Sequence, residues 1–309
     1  MGVIVVAGEA LVDLIVQPDG RLTPVLGGGP YNTARAIGRL GVPVEWLGGL
    51  SGDAFGRELE AGLVADGVSL HLVQRTCRPT TLALAEVDHE GAASYTFYVD
   101  GTSAPLLVAA RSERWPSRHI SAVHAGTLGL VLEPMTTTVE AMLGALPDDA
   151  IVMIDPNCRP SITSDPEGYR RRVARVLARA DIVKVSTDDL AYLRPDDDVA
   201  TAAAWIATSG PRVVLLTDGA GPLSVLVGGA KSLVVVPQVT VVDTVGAGDT
   251  FGGAVLAYLV HAGVSRADLA QSDIVLAAAR FGVRAAALTC QRAGADPPTL
   301  VELGGWPAA

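Results

Sequence analysis

Positive charge, cysteine, aromatic side chains and long apolar runs are all in short supply in this chain, and each shortage removes a class of function. Lys and Arg total 23 against 33 Asp and Glu, a net charge of −10. That balance argues against nucleic acid or an anionic membrane as partner, since both are bound through basic surfaces. The cluster Arg170-Arg171-Arg172 with Arg175 and Arg179 does not change this, because Arg171, Arg175 and Arg179 recur at i, i+4, i+8 and form one solvated helix face. Three cysteines (Cys77, Cys158 and Cys290) are odd in number, far apart and without a Cys-x-x-Cys pair. They speak for reduced thiols rather than a disulfide frame or a zinc site. No apolar run approaches the roughly 18 residues of a membrane span. Met1–Val6 enters a strand without the basic region of a signal peptide, so a cytoplasmic protein is expected. Aromatics make up 5% of the residues, which leaves the packing to Val, Ala and Leu. With 49% hydrophobic residues over 309 positions, the chain can bury the core of one large α/β domain with an accessory piece.

Two phosphate motifs are also missing. The P-loop pattern ends in Gly-Lys-Ser/Thr, and the only lysine before a serine, Lys231, follows Ala230. A dinucleotide fingerprint needs glycine three places after Gly248, where Phe251 stands. What is present is Asp243-Thr-Val-Gly246-Ala247-Gly248-Asp249-Thr-Phe-Gly-Gly253, with the β-branched runs Ser232–Pro237 and Val239–Val242 before it and a helical apolar pattern (Phe251, Ala254, Val255, Tyr258, Leu259) after it. A Gly-rich turn into a helix N-terminus presents unpaired amides and partial positive charge, which suits phosphate oxygens. The same terminus favours an ionised Asp249, able to accept a proton. Anion cradle plus base is what phosphoryl transfer to a hydroxyl needs. The competing reading makes Asp249 an N-cap and the glycines a turn.

Strand-like and helix-like segments alternate through most of the length. Strands are expected at Val3–Ala7, Val44–Leu47, Ala122–Ala125, Ile151–Ile154, Ile182–Val185 and Val213–Leu216. Helices are expected at Pro30–Leu40, Ala54–Ala65, Thr136–Ala145, Tyr169–Ala178 and Ala200–Thr208. This order implies βαβ units, a mostly parallel sheet with helices on both faces, and a site at the carboxyl ends of its strands. Two hairpin patterns interrupt it, one in Leu11–Leu26 around Pro18-Asp19-Gly20-Arg21 and one in Thr81–Val99 around His89-Glu90-Gly91. They fit either a small projecting sheet, serving as lid or subunit contact, or an antiparallel extension of the main sheet.

Taken together the residues resemble the ribokinase-like (PfkB) carbohydrate kinases over nearly the whole chain. The resemblance rests on Gly27-Gly28-Gly29-Pro30-Tyr31-Asn32-Thr33-Ala34, on Leu47–Gly56, and on the Asp243–Asp249 turn. Within the family, Gly8–Asp13, Arg78-Pro79-Thr80-Thr81, His124–Leu128, Leu132-Glu133-Pro134 and Asp155–Pro160 look most like fructokinases. The resemblance implies a three-layer α-β-α sandwich over residues 1–309 as one domain, with lid strands drawn from about 11–26 and 81–100. It implies transfer of the ATP γ-phosphate to a sugar hydroxyl with Mg²⁺, admits a monovalent cation such as K⁺, and admits a homodimer through the β lid.

By the same resemblance Asp249 is the base and Gly246, Ala247 and Gly248 the anion hole. Asp13, Gly27, Gly28 and Asn32 hold sugar hydroxyls, and Arg159 faces the cleft, where a surface salt bridge is its alternative. Thr217, Gly219 and Gly221 contact nucleotide, although an ordinary Asp-Gly hairpin turn explains them equally. Lys184 and Ser186 belong to a phosphate-side segment that ends in Asp189, expected to reach Mg²⁺ through water. Two departures stand out. Asp189 is one methylene shorter than the usual Glu. Fructokinases often carry Arg after Phe97-Tyr98, whereas Val99-Asp100 follows here. D-Fructose is the expected substrate; 2-keto-3-deoxygluconate, ribose or adenosine kinases are siblings, and a non-catalytic sugar-binding regulator is the rival from another class.

Overall fold

The computed structural model describes residues 2–87, 93–108 and 119–307. In chain order the elements are β1 Val3–Ala7, β2 Leu11–Val16, β3 Leu22–Gly27, α1 Gly29–Arg39, β4 Val44–Leu47, β5 Gly49–Ser51, α2 Ala54–Ala65, β6 Gln74–Thr76, β7 Leu82–Val87 and β8 Ala93–Tyr98. They continue with β9 Ile120–Gly126, α3 Met135–Gly144, β10 Ile151–Asp155, α4 Pro166–Leu177, β11 Ile182–Ser186, α5 Thr187–Leu193, α6 Val199–Thr208, β12 Val213–Thr217, β13 Leu223–Val227, β14 Ala230–Val234, α7 Ala247–His261 and α8 Ser272–Thr289.

Eight strands form the main sheet in the order β14-β13-β12-β11-β10-β9-β1-β4. The six from β12 to β4 pair in parallel, while β13 and β14 complete one edge as an antiparallel hairpin. Strands such as β1, Val-Ile-Val-Val-Ala, are buried along their whole length, as expected when helices cover both faces. Side chains alternate between two cores. Ile4 and Val6 of β1, with Ile151 and Met153 of β10, pack on α1, α2, α7 and α8 through Ile37, Leu59, Phe251 and Phe281. Val3, Val5 and Ala7, with Val152 and Ile154, pack on α3 to α6 through Val139, Val173, Leu190 and Ile206. Each such buried side chain contributes about 1.5–3 kcal/mol of transfer free energy, so the period-2 pattern fixes which strand face meets which helix layer. Among the described residues no helix is long and apolar enough to cross a membrane.

The two hairpins do not extend the main sheet. They make a separate four-stranded sheet, β3-β2-β7-β8, in which β2 and β7 run parallel and both outer pairs antiparallel. The turn expected at His89-Glu90-Gly91 lies outside the described residues. One strand expectation fails. Val239–Val242 is irregular, and Val241 and Val242 are 58% and 62% exposed. Its β-branched residues have no ladder to join; two of them, Val239 and Val241, instead line a cavity described below. The Ser232–Pro237 run shortens to β14, consistent with Pro237 having no N–H to donate to a ladder.

Candidate active site

The polar centre of the molecule lies where the carboxyl ends of β1, β9, β10 and β11 meet the start of α7. The Asp243–Asp249 segment sets that start. Gly246, at φ +74°, is the N-terminal cap of α7, and a methyl group there would come 2.5 Å from the Ala295 Cβ. Only glycine fits both the left-handed backbone and the close approach. Asp249 is therefore not the cap, as the competing reading has it, but a residue of the first helical turn. The Ala247 N–H donates to Thr244 O at 3.2 Å. Of the expected anion-hole residues Gly246, Ala247 and Gly248, Ala247 thus has its amide engaged, while the amides of Gly248 and of Asp249 beside it have no acceptor within the first helical turn.

Asn32, buried in the first turns of α1, donates from Nδ2 to Asp249 Oδ2 at 2.9 Å. The two residues are 217 apart in sequence. Desolvation pushes the Asp249 carboxyl above its ordinary range, while the Asn32 hydrogen bond and the charges of Lys184 and Arg159 pull it back. Asp249 shares a cavity of about 550 Å³ with Glu9, Asp13, Gly28, Gly29, Asn32, Arg159 and the aromatic pair Tyr95 and Phe97. Gly27, the last residue of β3, does not itself line that cavity, but a side chain on it would strike the Asp13 carboxylate. Burial lifts Asp13 to about 6, with Arg159 opposing and Asp249 assisting. Burial lifts Glu9 to about 8; its Oε1 accepts the Gly29 N–H at 3.2 Å and its Oε2 has no partner.

Thr217, Gly219 and Gly221 border a second cavity, of about 340 Å³, on the far side of the glycine turn. Its other walls are Val236, Val239 and Val241 from the irregular segment, and Phe251, Ala286 and Ala287 from α7 and α8. Thr244 and Gly248 line both cavities. Most of its walls are apolar side chains with a Gly-rich turn along one edge, a surface suited to a flat heteroaromatic ring. The Gly246–Asp249 turn lies between the two cavities.

The three residues of the expected phosphate-side segment divide between cavity and scaffold. Lys184 lines the polar cavity together with Gly248 and Asp249, and its Nζ lies 2.9 Å from Asp155 Oδ2. Ser186 caps α5. Asp189 completes that capping box: its Oδ2 accepts Ser186 N–H and O–H at 2.8 and 2.7 Å, and its Oδ1 accepts the Cys158 N–H at 2.6 Å. Both oxygens of Asp189 are thereby committed to the scaffold, and the carboxylate that lines the cavity is its neighbour Asp188. The structure thus brings Asp188, not the expected Asp189, to the lining of the cavity. Among the described residues no three His, Cys, Asp or Glu side chains are arranged to hold a metal ion by themselves. The donor set suits a cation carried in on phosphate oxygens and touched by one carboxylate through water.

Glu9, Asp188, Thr127 and Asn157 also line the polar cavity and were not singled out from sequence. Glu9 is placed by its position just after β1. Thr127 and Asn157 take positive φ, 47° and 38°, uncommon for residues with a Cβ and of a kind that clusters at ligand sites. Asn157 is of a type enriched at positive φ, whereas a β-branched Thr127 gives no such signal.

The chain belongs to the pfkB family of carbohydrate kinases, whose model matches residues 1–301. A fructokinase of Rhizobium leguminosarum bv. trifolii is 36% identical over 262 residues, covering 83% of this chain and 79% of the relative. A Xylella fastidiosa fructokinase structure with bound ATP superposes with TM-score 0.87 at 29% identity, covering 97% of this chain and 96% of the other. A Vibrio cholerae fructokinase structure with fructose, ADP and calcium gives TM-score 0.85 at 26% identity, covering 99% of both chains; a double mutant of it has fructose, ADP and potassium bound.

Proposed function

We propose that this chain transfers the γ-phosphate of ATP to the primary hydroxyl of D-fructose, giving fructose 6-phosphate and ADP. The observation that carries the reading is Asp249, oriented by Asn32 at the junction of a polar and an apolar cavity. The sugar occupies the polar side, its hydroxyls facing Asp13, Asn32, Arg159 and the Gly27-Gly28 backbone. The adenine ring lies in the apolar side against the Thr217–Gly221 turn. This places the γ-phosphate over the amides of Gly248 and Asp249, where donors are preorganised for charge that develops in transfer. Asp249 accepts the proton of the attacking hydroxyl, the new O–P bond forms, and the bond from phosphorus to the β-phosphate oxygen breaks with its electrons leaving on ADP. Asp188, which lines the cavity, would help hold a Mg²⁺ ion, whose chemistry would be to offset negative charge on the phosphates. The sheet β3-β2-β7-β8 serves as the lid: Tyr95 and Phe97 project from it into the sugar cavity, and closing it excludes water that would hydrolyse ATP. Leu22 and Tyr98 on that sheet are 52% and 54% exposed, which supports pairing of two lids in a homodimer. A monovalent-cation requirement completes the proposal.

One observation favours a second substrate. Tyr95 and Phe97 stack at 6.2 Å with an interplanar angle of 25°, a platform that also suits an aromatic riboside. Coupled measurement of ADP release with ATP·Mg²⁺ against fructose, ribose, 2-keto-3-deoxygluconate, adenosine and tagatose separates these readings, with Asp249→Asn as control. Turnover with fructose and about 10²- to 10⁴-fold loss in the variant are expected, the range for removing a general base. Turnover confined to adenosine moves the substrate and keeps the chemistry. Sugar binding without any ADP release overturns the enzyme reading in favour of a regulator.

A further inference from the structure

Six carboxyl groups and two cations gather at the transfer site. Glu9 follows β1, Asp13 lies on β2, Asp155 ends β10, Asp188 and the scaffold-bound Asp189 are in α5 and Asp249 is in α7; against them stand Arg159, after β10, and Lys184, on β11. His124 on the adjacent β9 is held neutral, pushed down to about 3 by burial and by Lys184. A desolvated site with this excess of carboxyls favours protonation, yet the proposed base has to be ionised to accept a proton.

Lys184 answers that need. Its side chain is buried, its Nζ is 2.9 Å from Asp155 Oδ2, and a methyl group on Gly248 would stand 3.0 Å from that Nζ. The ammonium therefore lies directly against the residue that precedes Asp249. Burial alone works to discharge Lys184, but Asp155, Asp189 and Asp249 outweigh it and keep the proton on. Asp155 spends one oxygen on this pair, while its other oxygen is buried without a partner.

We infer that the Lys184–Asp155 pair is a charge-setting device for the transfer site, in which Asp155 pins the ammonium beneath the anion cradle and the ammonium holds Asp249 in its proton-accepting form. Lys184 is then a positioning residue acting through Asp249, a role distinct from the nucleotide contact expected of it. The inference rests on Asp249 being the base of the proposed reaction, but its test does not depend on turnover.

The test is a ¹³C NMR titration of protein labelled at aspartate carboxyl carbons, with the Asp249 resonance assigned by its disappearance in Asp249→Asn. Lys184→Met is expected to raise the Asp249 midpoint by about one pH unit, the size of effect an adjacent opposite charge exerts. Asp155→Asn, which leaves the ammonium unopposed, is expected to lower it, and the double variant is expected to fall between the two. Opposite signs from two adjacent substitutions are not a signature of general damage. If Lys184→Met alone fails to fold through its uncompensated Asp155, the sign in Asp155→Asn decides. Midpoints that stay put, or that move in the same direction in both single variants, overturn the inference. The acid limb of kcat/KM for fructose is expected to shift with the NMR midpoint; an NMR shift without fructose turnover sinks the proposed function and leaves the charge-setting pair standing.

Discussion

The two cavities flanking the Gly246–Asp249 turn are built on different principles. The polar one takes its side chains from segments spread between Glu9 and Asp249, and its central hydrogen bond joins residues 217 apart. The apolar one is drawn wholly from the stretch Thr217–Cys290. Directed polar groups have to be aimed individually by separate strands and helices. An apolar groove needs shape and dryness, which neighbouring segments can supply. Substrate selection and nucleotide holding should accordingly be separable by substitution, and only the shared turn should affect both.

The strongest way to break the comparison is at that turn. Gly246→Val forces a β-branched residue into a left-handed position against Ala295, and strain of this kind costs about 1–3 kcal/mol even before the clash. Turnover is expected to fall by at least about 10²-fold, with weaker binding of both sugar and ATP in calorimetry. Loss of one ligand alone would show the turn is not shared. Next in size, Asp13→Ala removes a hydrogen-bonding carboxylate from the polar side only. Fructose KM is expected to rise by roughly 10- to 100-fold, the weight of a charged hydrogen bond, with ATP KM unchanged in steady-state kinetics. On the opposite side, Ala286→Phe overfills the apolar groove. An increase of about tenfold in ATP KM, with fructose KM held, matches the usual cost of overpacking.

The smallest effect concerns pH. Burial keeps the Glu9 proton up to about 8, against 4.5 for the ordinary side chain. The folded chain thus binds more protons than the unfolded one between these values, and stability falls as pH rises through that window. Glu9→Gln should flatten this dependence. Its thermal midpoint is expected to drop less than that of the parent between pH 5 and pH 8, by roughly 2–4 °C for each kcal/mol of linkage removed. Parallel curves for the two proteins would show that Glu9 does not carry the proton.

Much of the scaffold could be read from local pattern. Buried runs such as Val3–Ala7 and Ile151–Asp155, and the helix Ala54–Ala65 with Asp53 accepting the Gly56 N–H at its start, need only period and capping. The glycine turn was equally visible, since left-handed backbone before a helix has few alternatives to glycine. The Val239–Val242 run shows where the same rules fail: β-branched residues look alike whether they join a ladder or line a groove, and only the presence of a partner strand separates the two.

What the sequence by itself determined is the layered parallel sheet, the glycine turn into a helix and the presence of Asp249 inside it, because each depends on spacing along short segments. The tertiary structure alone decided that the hairpins form a sheet of their own, that Asp188 rather than Asp189 reaches the cavity, and that Lys184 serves Asp155 beneath Gly248. Neighbouring carboxylates are chemically equivalent in a sequence. Their roles part only when strands β10 and β11 bring the Cys158 amide to one of them and leave the other facing the cavity.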